Sequence, residues 1–217
     1  MKIRTVEMLS DKLSQELSWR KKELTELKYL IERFSGRGKS GTVLARCGVA
    51  LLYAHWEGYI KIGGISFLEY LKMQRLRNMD LAENLLTVII KYEMDKRSQI
   101  KKASNINWIT DFYLHKTNDR SMIPYKTIID TESNLSSSVL KEIIWCLGLD
   151  YSPYEANEKL LDAKLLGVRN FIAHGEKILI DISDYLGLHD RVIALMDLFR
   201  SQLENAAVTK SYLREKQ

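Results

Sequence analysis

The chain has 217 residues, of which 46% are hydrophobic and 28% are charged. This composition supplies enough apolar side chains for a core and excludes global disorder. Only 2 Pro and 11 Gly are present, which excludes collagen-like, low-complexity and turn-dense all-β architectures and allows long helices. The 33 Lys and Arg residues against 28 Asp and Glu leave a net charge of +5. That surplus permits a polyanionic partner without requiring one.

The cysteines and the N-terminus indicate a protein of the reducing cytoplasm. Cys47 and Cys146 lie far apart in sequence with no His cluster beside them, so they predict neither a disulfide framework nor a Cys-based metal site. The N-terminus becomes acidic and polar early and has no signal-peptide apolar region. The longest near-apolar run, Cys47 to Ala54, is far shorter than the roughly 20 residues of a membrane span.

The first predicted element is a long helix from Thr5 to Phe34. This stretch is charged and free of Gly and Pro, and its apolar residues recur at helical spacings, interrupted only by Arg20. The stripe consists of Leu13, Leu17, Leu24, Leu27, Ile31 and Phe34. A helix that faces the core of a bundle is favoured, and a coiled-coil helix that pairs with a partner is the alternative.

A glycine-rich turn over residues 35–41 ends this helix. It contains Gly38-Lys39-Ser40, which has a superficial likeness to a phosphate-binding loop. The full pattern needs a glycine where this chain has Arg33, and it needs a preceding strand rather than a helix. The turn therefore does not predict a nucleotide site.

Two further helices are predicted before the middle of the chain. Thr42 to Tyr70 is rich in Ala, Leu and aromatic residues, which indicates a central buried helix that Gly63-Gly64 is expected to kink or split. A third helix is predicted over Met79 to Asp95. From Lys96 to Ser138 the sequence becomes polar and irregular, which predicts an insertion or lid with little regular structure.

The aromatic residues of this insertion have two interpretations. Trp108, Phe112, Tyr113 and Tyr125 lie among cations, an arrangement that suits stacking on nucleobases. The favoured interpretation is that they fix the insertion onto the bundle.

Helical patterns resume after the insertion. Helices are predicted over Val139 to Leu147 and from Pro153 to His174, followed by Gly175 as a C-terminal stop. A final helix begins after a cap at Asp181 or Ser183, and only the segment 177–182 resembles a strand. The sequence therefore predicts an all-α bundle in a single domain over residues 1–217, with 96–138 as the insertion.

Most catalytic motifs are absent from the sequence. It has no HExxH motif, no nucleophile elbow and no dense carboxylate cluster, so we expect neither a metal nor a cofactor. His55 and Glu57, with Trp56 between them, are predicted to serve core packing and a partly buried polar contact rather than a cleft. His115 and His189 are predicted to lie on the surface.

One segment, Gly167 to Glu176, places polar groups in an otherwise apolar run. Asn170 and His174 are one helical turn apart and share a face. Arg169 and His174 are separated by about 140° around the axis and about 7.5 Å along it. One helix alone therefore does not aim both side chains at one atom, and a partner helix or a second subunit would have to complete the site.

An Arg and a His together suit the cleavage of RNA phosphodiesters, in which the 2′-hydroxyl is the internal nucleophile. The His would move the proton, and the Arg would stabilise the charge that grows on the phosphorane. Asn170 would hold His174 or contact the phosphate. On spacing alone, ordinary caps and surface groups explain the same residues.

The segment RNFIAH resembles the Arg-polar-x3-His motif of the HEPN superfamily. Three longer stretches resemble its bacterial MAE-type or RiboL-PSP branch, and the chain end Glu204 to Leu213 resembles the terminal helix of that branch. The three stretches are LARCGVALLYAHWEGYIK (Leu44 to Lys61), SNLSSSVLKEIIWCLGLD (Ser133 to Asp150) and LLDAKLLGVRNFIAHGE (Leu160 to Glu176).

The resemblance implies a helical bundle that forms homodimers, in which two Arg/His motifs face each other across a composite cleft. It implies a metal-independent endoribonuclease of toxin–antitoxin or phage-defence type, with RNA as substrate and a cognate antitoxin or defence component as a further partner. Arg169 and His174 would be the catalytic pair and Asn170 the polar residue beside them. The alternative is a catalytically silent HEPN module that binds RNA, nucleotide or a protein, or a purely structural helical adaptor.

Two residues outside the pair are expected to support it. Some HEPN toxins carry a tyrosine two places after the His, where this chain has Glu176, which places regulation by tyrosine modification in doubt. Glu176 is expected to pair with Arg169 or to contact the second subunit. Arg46 is expected to meet RNA phosphate or an internal carboxylate.

Overall fold

The computed structural model describes residues 2–34, 39–97 and 103–214. Over these ranges the regular structure is helical, and strand-type pairing is confined to two isolated bridges, Arg77 with Arg120 and Leu81 with Leu213. The predicted all-α bundle is confirmed. The glycine-rich turn that follows the first helix lies largely outside the described residues.

Three long helices form the centre of the bundle: α1 (Val6–Phe34), α2 (Lys39–Met73) and the last helix, α8 (Ile182–Thr209). Helix α1 runs antiparallel to α8, because contacts from successive points of α1 reach successively earlier points of α8. These contacts are Ser10–Glu204, Lys21–Asp197 and Lys28–Asp190. The apolar stripe of α1 packs within this chain, which confirms the core-facing interpretation of the helix.

Burial of this stripe stabilises the three-helix centre. Leu9, Leu13 and Leu24 of α1 are completely inaccessible to solvent, and each such side chain contributes about 1.5–3 kcal/mol. Arg20, which interrupts the stripe, is also buried. Its guanidinium lies 4.3 Å from the ring centroid of Trp19 and donates hydrogen bonds to the carbonyl and the carboxylate of Glu16.

The glycines of α2 serve close helix packing rather than a break in the helix. Helix α2 is continuous, so the predicted split at Gly63-Gly64 is wrong, and the predicted kink stays a prediction. A Cβ atom at Gly63 would lie 2.8 Å from Phe199, and one at Gly48 would lie 2.6 Å from Tyr185. Both contacts are with α8. Because these two glycines have no side chain, α8 can approach α2 closely.

The helices after α2 differ in part from the prediction. Helix α3 (Glu83–Asp95) begins later than expected, because a 3₁₀ turn, Asn78–Asp80, precedes it. The insertion was predicted to have little regular structure, but part of it is helical. It contains a 3₁₀ turn, Ala103–Ile106, and helix α4 (Asn107–His115). The polar, Asn-rich surroundings concealed the helical spacing of Trp108 and Phe112. Residues 116–136 form turns, bends and stretches without regular structure, as predicted for the insertion.

Helix α5 (Ser137–Leu147) forms close to its predicted bounds. The long helix predicted from Pro153 to His174 is divided instead into α6 (Ser152–Glu155), a π-helical segment (Leu160–Gly167) and α7 (Val168–Ala173). Helix α8 follows an N-terminal cap in which the Asp181 carboxylate accepts the N–H of Ser183 at 2.8 Å. The segment 177–182 forms no strand.

The buried histidines show where the sequence interpretation holds and where it fails. His55 of α2 is buried and pairs with Glu23 of α1 (Nε2 to Oε2, 2.7 Å), beside the fully buried Trp56, so the predicted core role of this stretch is confirmed. His115 is exposed, as predicted. His189 is 5% exposed, so its predicted surface position is wrong. It lies on the inner face of α8, and its Nδ1 lies 2.8 Å from the Asp190 carboxylate.

Over the described ranges, no helix combines the length and the apolar content that crossing a bilayer would require.

Candidate active site at the end of helix α7

The RNFIAH segment forms the last turns of a helix that changes form along its length. The π-helical segment Leu160–Gly167 runs directly into α7, which ends at Ala173 with His174 as the C-terminal cap. Short π-helical stretches inside helices are frequent at functional sites. Arg169 and Asn170 therefore lie at the start of α7, and His174 lies at its end.

The chain leaves α7 through a Schellman turn. The N–H of Glu176 donates to the carbonyl of Phe171 at 2.9 Å, and the N–H of Gly175 donates to that of Ile172 at 3.1 Å. Gly175 has φ +75°, a left-handed conformation that a glycine adopts without steric cost. This turn fixes the position of the His174 backbone, whose N–H donates to the carbonyl of Asn170 at 2.9 Å.

Arg169 is held by groups from three parts of the chain. Its Nη1 donates to Oδ1 of Asn170 at 2.8 Å, and its Nη2 donates to the carbonyl of Ser133 at 3.0 Å. Its Cζ lies 4.0 Å from the ring centroid of Tyr53 on α2, a cation–π contact that contributes about 0.5–2 kcal/mol. These three contacts fix the orientation of the guanidinium within the chain.

Tyr53 also fixes the segment that supplies the Ser133 carbonyl. Its hydroxyl accepts the backbone N–H of Leu135 at 2.7 Å. Burial raises the pKa of Tyr53, so the phenol stays neutral at physiological pH. Asp162 of the π-helical segment holds the same stretch further on, because its carboxylate accepts the N–H and the hydroxyl of Ser137 at 2.7 and 2.6 Å.

The backbone beside Arg169 is strained. Glu132 and Ser133 have φ values of 51° and 59°, and the left-handed region costs about 1–2 kcal/mol for each residue that has a side chain. Such strain persists where the surrounding structure imposes it, and it concentrates at functional sites. In this conformation the Ser133 carbonyl meets the guanidinium, so the end of the insertion forms part of the site.

The predicted site residues form two contact pairs, and His174 stands apart from both. Asn170 binds Arg169 rather than His174, and its predicted contact with a substrate phosphate stays a prediction. Arg46 of α2 donates from Nη2 to the backbone carbonyl of Glu176 at 2.9 Å, so it fixes the turn after α7 and meets no carboxylate there. The expected pairing of Glu176 with Arg169 is not present. No hydrogen bond to the exposed His174 imidazole is formed by the described residues.

Tyr53, Ser133 and Asp162 are site residues that sequence reasoning missed. Tyr53 lies in the stretch Leu44 to Lys61, whose similarity to the HEPN branch was the available signal. Nothing in the sequence pairs a carbonyl at position 133 with an arginine far along the chain. Among the described residues, no group of three or more His, Cys, Asp or Glu side chains is arranged to hold a metal ion.

Two observations define the class of protein. The fold is an all-α bundle. Arg169 lies at the start of the short helix α7, where the Tyr53 ring and two oxygen acceptors fix its guanidinium, and the exposed His174 caps the end of the same helix. The chain matches the HEPN_MAE_28990-like HEPN family over residues 9–212, and it belongs to that family. Comparisons with curated proteins and with solved structures give no match.

Proposed function

We propose that this protein is a metal-independent endoribonuclease of toxin or phage-defence type, in which Arg169 and His174 cleave RNA. The observation that carries the proposal is the preset guanidinium of Arg169, held by Tyr53, Asn170 and the Ser133 carbonyl, on the same short helix as the exposed His174. Family membership supports an RNA-related role, since HEPN domains are commonly ribonucleases.

The chemistry requires one proton acceptor, one proton donor and a fixed cation. His174 removes the proton from the 2′-hydroxyl, whose oxygen attacks the adjacent phosphorus. The guanidinium of Arg169 stabilises the charge on the phosphorane, because its planar fork matches two phosphate oxygens. The 5′-oxygen leaves with a proton, which gives a 2′,3′-cyclic phosphate on one fragment and a 5′-hydroxyl on the other.

A homodimer with a composite site supplies the second proton-transfer group. His174 of one copy begins the reaction as the base, and His174 of the second copy serves as the acid. The exposed apolar side chains beside the motif support such an interface. Phe171 of α7 and Leu179 after it are 47% and 79% exposed, and Val43, one turn before Arg46, is 58% exposed.

Cleavage by matched variants tests the reaction. Mixed RNA in EDTA is incubated with the wild-type protein, His174→Ala, Arg169→Ala and Arg169→Lys, with His115→Ala as the control for loss of an exposed histidine. We expect His174→Ala to lose about 10²–10⁴-fold in rate, Arg169→Lys to retain charge but little activity, and the control to match wild type. Equal cleavage by wild type and His174→Ala, or cleavage only after metal is added, would refute the mechanism.

The dimer has its own test. Phe171→Glu and Leu179→Glu place charge on the proposed interface, and Val208→Glu does so at an exposed position on α8. Sedimentation velocity is expected to give a dimer for wild type and Val208→Glu and a monomer for the two interface variants, with cleavage lost in the monomers. A monomeric wild-type protein that cleaves RNA would contradict the composite site.

The silent-module alternative is supported by the protein acceptors that already engage Arg169. It predicts that the wild-type protein binds RNA without turnover. Expression in cells separates the two functions, because a ribonuclease slows growth and His174→Ala relieves the effect. RNA binding with no turnover in vitro, together with growth that neither protein affects, would favour the silent module.

A further inference from the structure

A cavity lies away from the candidate active site and shares no residue with it. Its volume is about 210 Å³, and it is formed by α3, α4 and the polar turns on either side of them. Three cations and two carboxylates line it together with two aromatic side chains, Trp108 and Phe112. Its size suits one planar ring system rather than a large ligand.

Backbone hydrogen bonds fix one wall of this cavity. The N–H of Asn78 donates to the carbonyl of Asp119 at 3.0 Å, and the N–H of Met79 donates to that of Thr117 at 2.8 Å. The Asn78 side-chain amide donates to the carbonyl of Lys116 at 2.9 Å. The segment after α4 is therefore joined to the 3₁₀ turn that precedes α3, and the cavity is built into the fold.

The aromatic wall belongs to a helix that the core does not fully cover. Trp108, Phe112 and Lys116 recur one helical turn apart along α4 and its C-terminal cap, and no residue of α4 is fully buried. The Arg97 guanidinium already lies 4.6 Å from the Trp108 ring centroid, so one face of this ring accepts a planar group. Aromatic rings beside cations are the arrangement on which unpaired nucleobases stack.

Two buried polar atoms of the cavity residues lack hydrogen-bond partners among the described residues. These are the indole N–H of Trp108 and the Oδ1 of Asn78, whose residue is only 6% exposed. Buried polar groups are rarely left without a partner. One atom is a donor and the other an acceptor, and the edge of a nucleobase offers both complementary functions.

The charge of the lining also favours RNA over a protein ligand. The three cations Arg97, Lys116 and Arg120 outnumber the two carboxylates of Glu93 and Asp119 by one. Arg97 pairs with Glu93 (Nη1 to Oε2, 2.8 Å). Lys116 pairs with Asp111, which is not part of the lining (Nζ to Oδ2, 2.6 Å), so Arg120 is the lining cation that the described residues leave without a carboxylate partner. An apolar peptide could not provide hydrogen bonds to the unpaired Trp108 N–H and Asn78 Oδ1, so these atoms argue against such a ligand.

We propose that this cavity binds a single unpaired nucleobase of an RNA strand, which stacks against Trp108 and Phe112 while the surrounding cations meet the adjacent phosphates. The inference rests on the proposed function in taking RNA as the ligand, but it assigns binding to a site separate from cleavage. The insertion would then select where along a strand the protein binds.

Fluorescence anisotropy tests the proposal in a His174→Ala background, in which the probe is not cleaved. The probes are labelled oligouridylate and oligoadenylate of about 12 nucleotides, within the usual length range for such sites. Trp108→Ala is expected to weaken binding about 5- to 150-fold. Trp108→Phe keeps a ring and should lie between this variant and the parent. Leu114→Ala removes an exposed side chain of α4 outside the cavity and should bind like the parent.

The result that overturns the proposal is RNA affinity within twofold of the parent for a folded Trp108→Ala, or no RNA affinity in the parent. Circular dichroism confirms the fold of each variant. Loss of self-association in Trp108→Ala, measured by sedimentation with RNA affinity unchanged, would assign the cavity to a protein interface and also overturn it. Cleavage is measured separately in the chain that retains His174. A protein without ribonuclease activity could still show Trp108-dependent RNA binding, and an active ribonuclease could lack it, so the two proposals fail independently.

Discussion

At the scale of single residues, Tyr53 links the candidate catalytic arginine to the core. Its ring supports the Arg169 guanidinium, and its hydroxyl holds the backbone that leads to α5. The two functions are separable, since phenylalanine keeps the ring and loses only the hydroxyl. The residue that sequence reasoning overlooked therefore allows a discriminating test of the site.

We predict different outcomes for two substitutions of Tyr53. Tyr53→Phe should cost about 1–3 kcal/mol of stability, because the buried Leu135 N–H loses its acceptor, while Arg169 keeps its ring. Tyr53→Leu should in addition lower RNA cleavage at least tenfold, since the cation–π contact that orients Arg169 is lost. Urea denaturation measures stability, and kcat/KM measures cleavage. Equal activity of the two variants would show that the ring does not orient the arginine.

His55 gives the second prediction, which concerns pH. Burial lowers the pKa of His55 below its usual value of 6.5, although the Glu23 carboxylate partly opposes this effect. The unfolded chain therefore binds a proton more readily than the folded chain does. The stability that this difference contributes is complete above about pH 6.5 and is lost as the pH falls through the lower, folded pKa.

Urea denaturation of wild type and His55→Gln at pH 7.5 and pH 5.5 measures this effect. The free energy of unfolding should fall more steeply toward acid in wild type than in the variant, which lacks the titrating group. His115→Gln, at an exposed position, should keep the wild-type slope. An identical slope for His55→Gln would place the acid sensitivity elsewhere.

At the scale of helices and turns, the end of α7 depends on the left-handed Gly175. The third prediction compares two Gly→Ala changes with opposite expected signs. Gly175→Ala should destabilise the protein by about 1 kcal/mol, because alanine at φ +75° is strained although the space around it is open. Gly187→Ala, in open space within α8, should stabilise it by about 0.5–1 kcal/mol.

Thermal and urea denaturation distinguish these two variants. Because Gly175 follows His174 directly, Gly175→Ala should also reduce RNA cleavage, whereas Gly187→Ala should leave it unchanged. Equal stability changes of the same sign would mean that the left-handed conformation of Gly175 does not require a glycine.

The helices also show which local features the sequence can predict. The stripe of α1, the Asp181 cap and the Gly175 stop follow from spacing and residue type within a few positions. The π-helical segment and the late start of α3 do not, because both depend on contacts with distant segments: Asp162 binds Ser137, and Asn78 binds the chain after α4. The buried position of His189 was by contrast available from spacing, since it lies three residues before Val192 and seven before Met196 on the inner face of α8.

At the scale of the whole molecule, Gly63 lies where the three long helices meet. A Cβ atom there would lie 2.8 Å from Phe199, 3.3 Å from Leu203 and 3.5 Å from Leu13. The fourth prediction is that Gly63→Ala costs about 1–3 kcal/mol of stability through overpacking. The gain of about 1 kcal/mol that alanine brings to a helix interior offsets only the lower end of this cost.

Thermal denaturation of Gly63→Ala and Gly58→Ala checks this prediction. Gly58 lies on the same helix, and a Cβ atom there would meet the end of the Arg20 side chain at 3.4 Å, an ordinary contact. Gly58→Ala should therefore preserve or raise stability. A stable Gly63→Ala would mean that the α2–α8 packing adjusts more readily than the close contacts indicate.

The candidate site was predictable only where its residues are neighbours in sequence. Arg169, Asn170 and His174 stand within one short segment, and the resemblance to the HEPN superfamily singled them out. Their environment is assembled from α2, the end of the insertion and the π-helical segment. Arg46 illustrates the limit: residue type predicted RNA phosphate or an internal carboxylate as its partner, and the fold supplies a backbone carbonyl in place of the carboxylate, while the phosphate contact stays a prediction.

The π-helical segment Leu160–Gly167 has a consequence for how this chain tolerates insertions and deletions. A π turn accommodates an extra residue within a helix, so removing one residue would let this stretch relax into an ordinary α-helix without breaking it. The π turn absorbs the extra residue where it occurs, so the helix beyond it would keep its phase and Arg169 would stay at the Tyr53 ring. A deletion within α7 itself has no such reserve, because each residue of an α-helix corresponds to about 100° of rotation and every later residue would turn by that angle. The segment before the motif therefore tolerates the loss of one residue, and the motif does not.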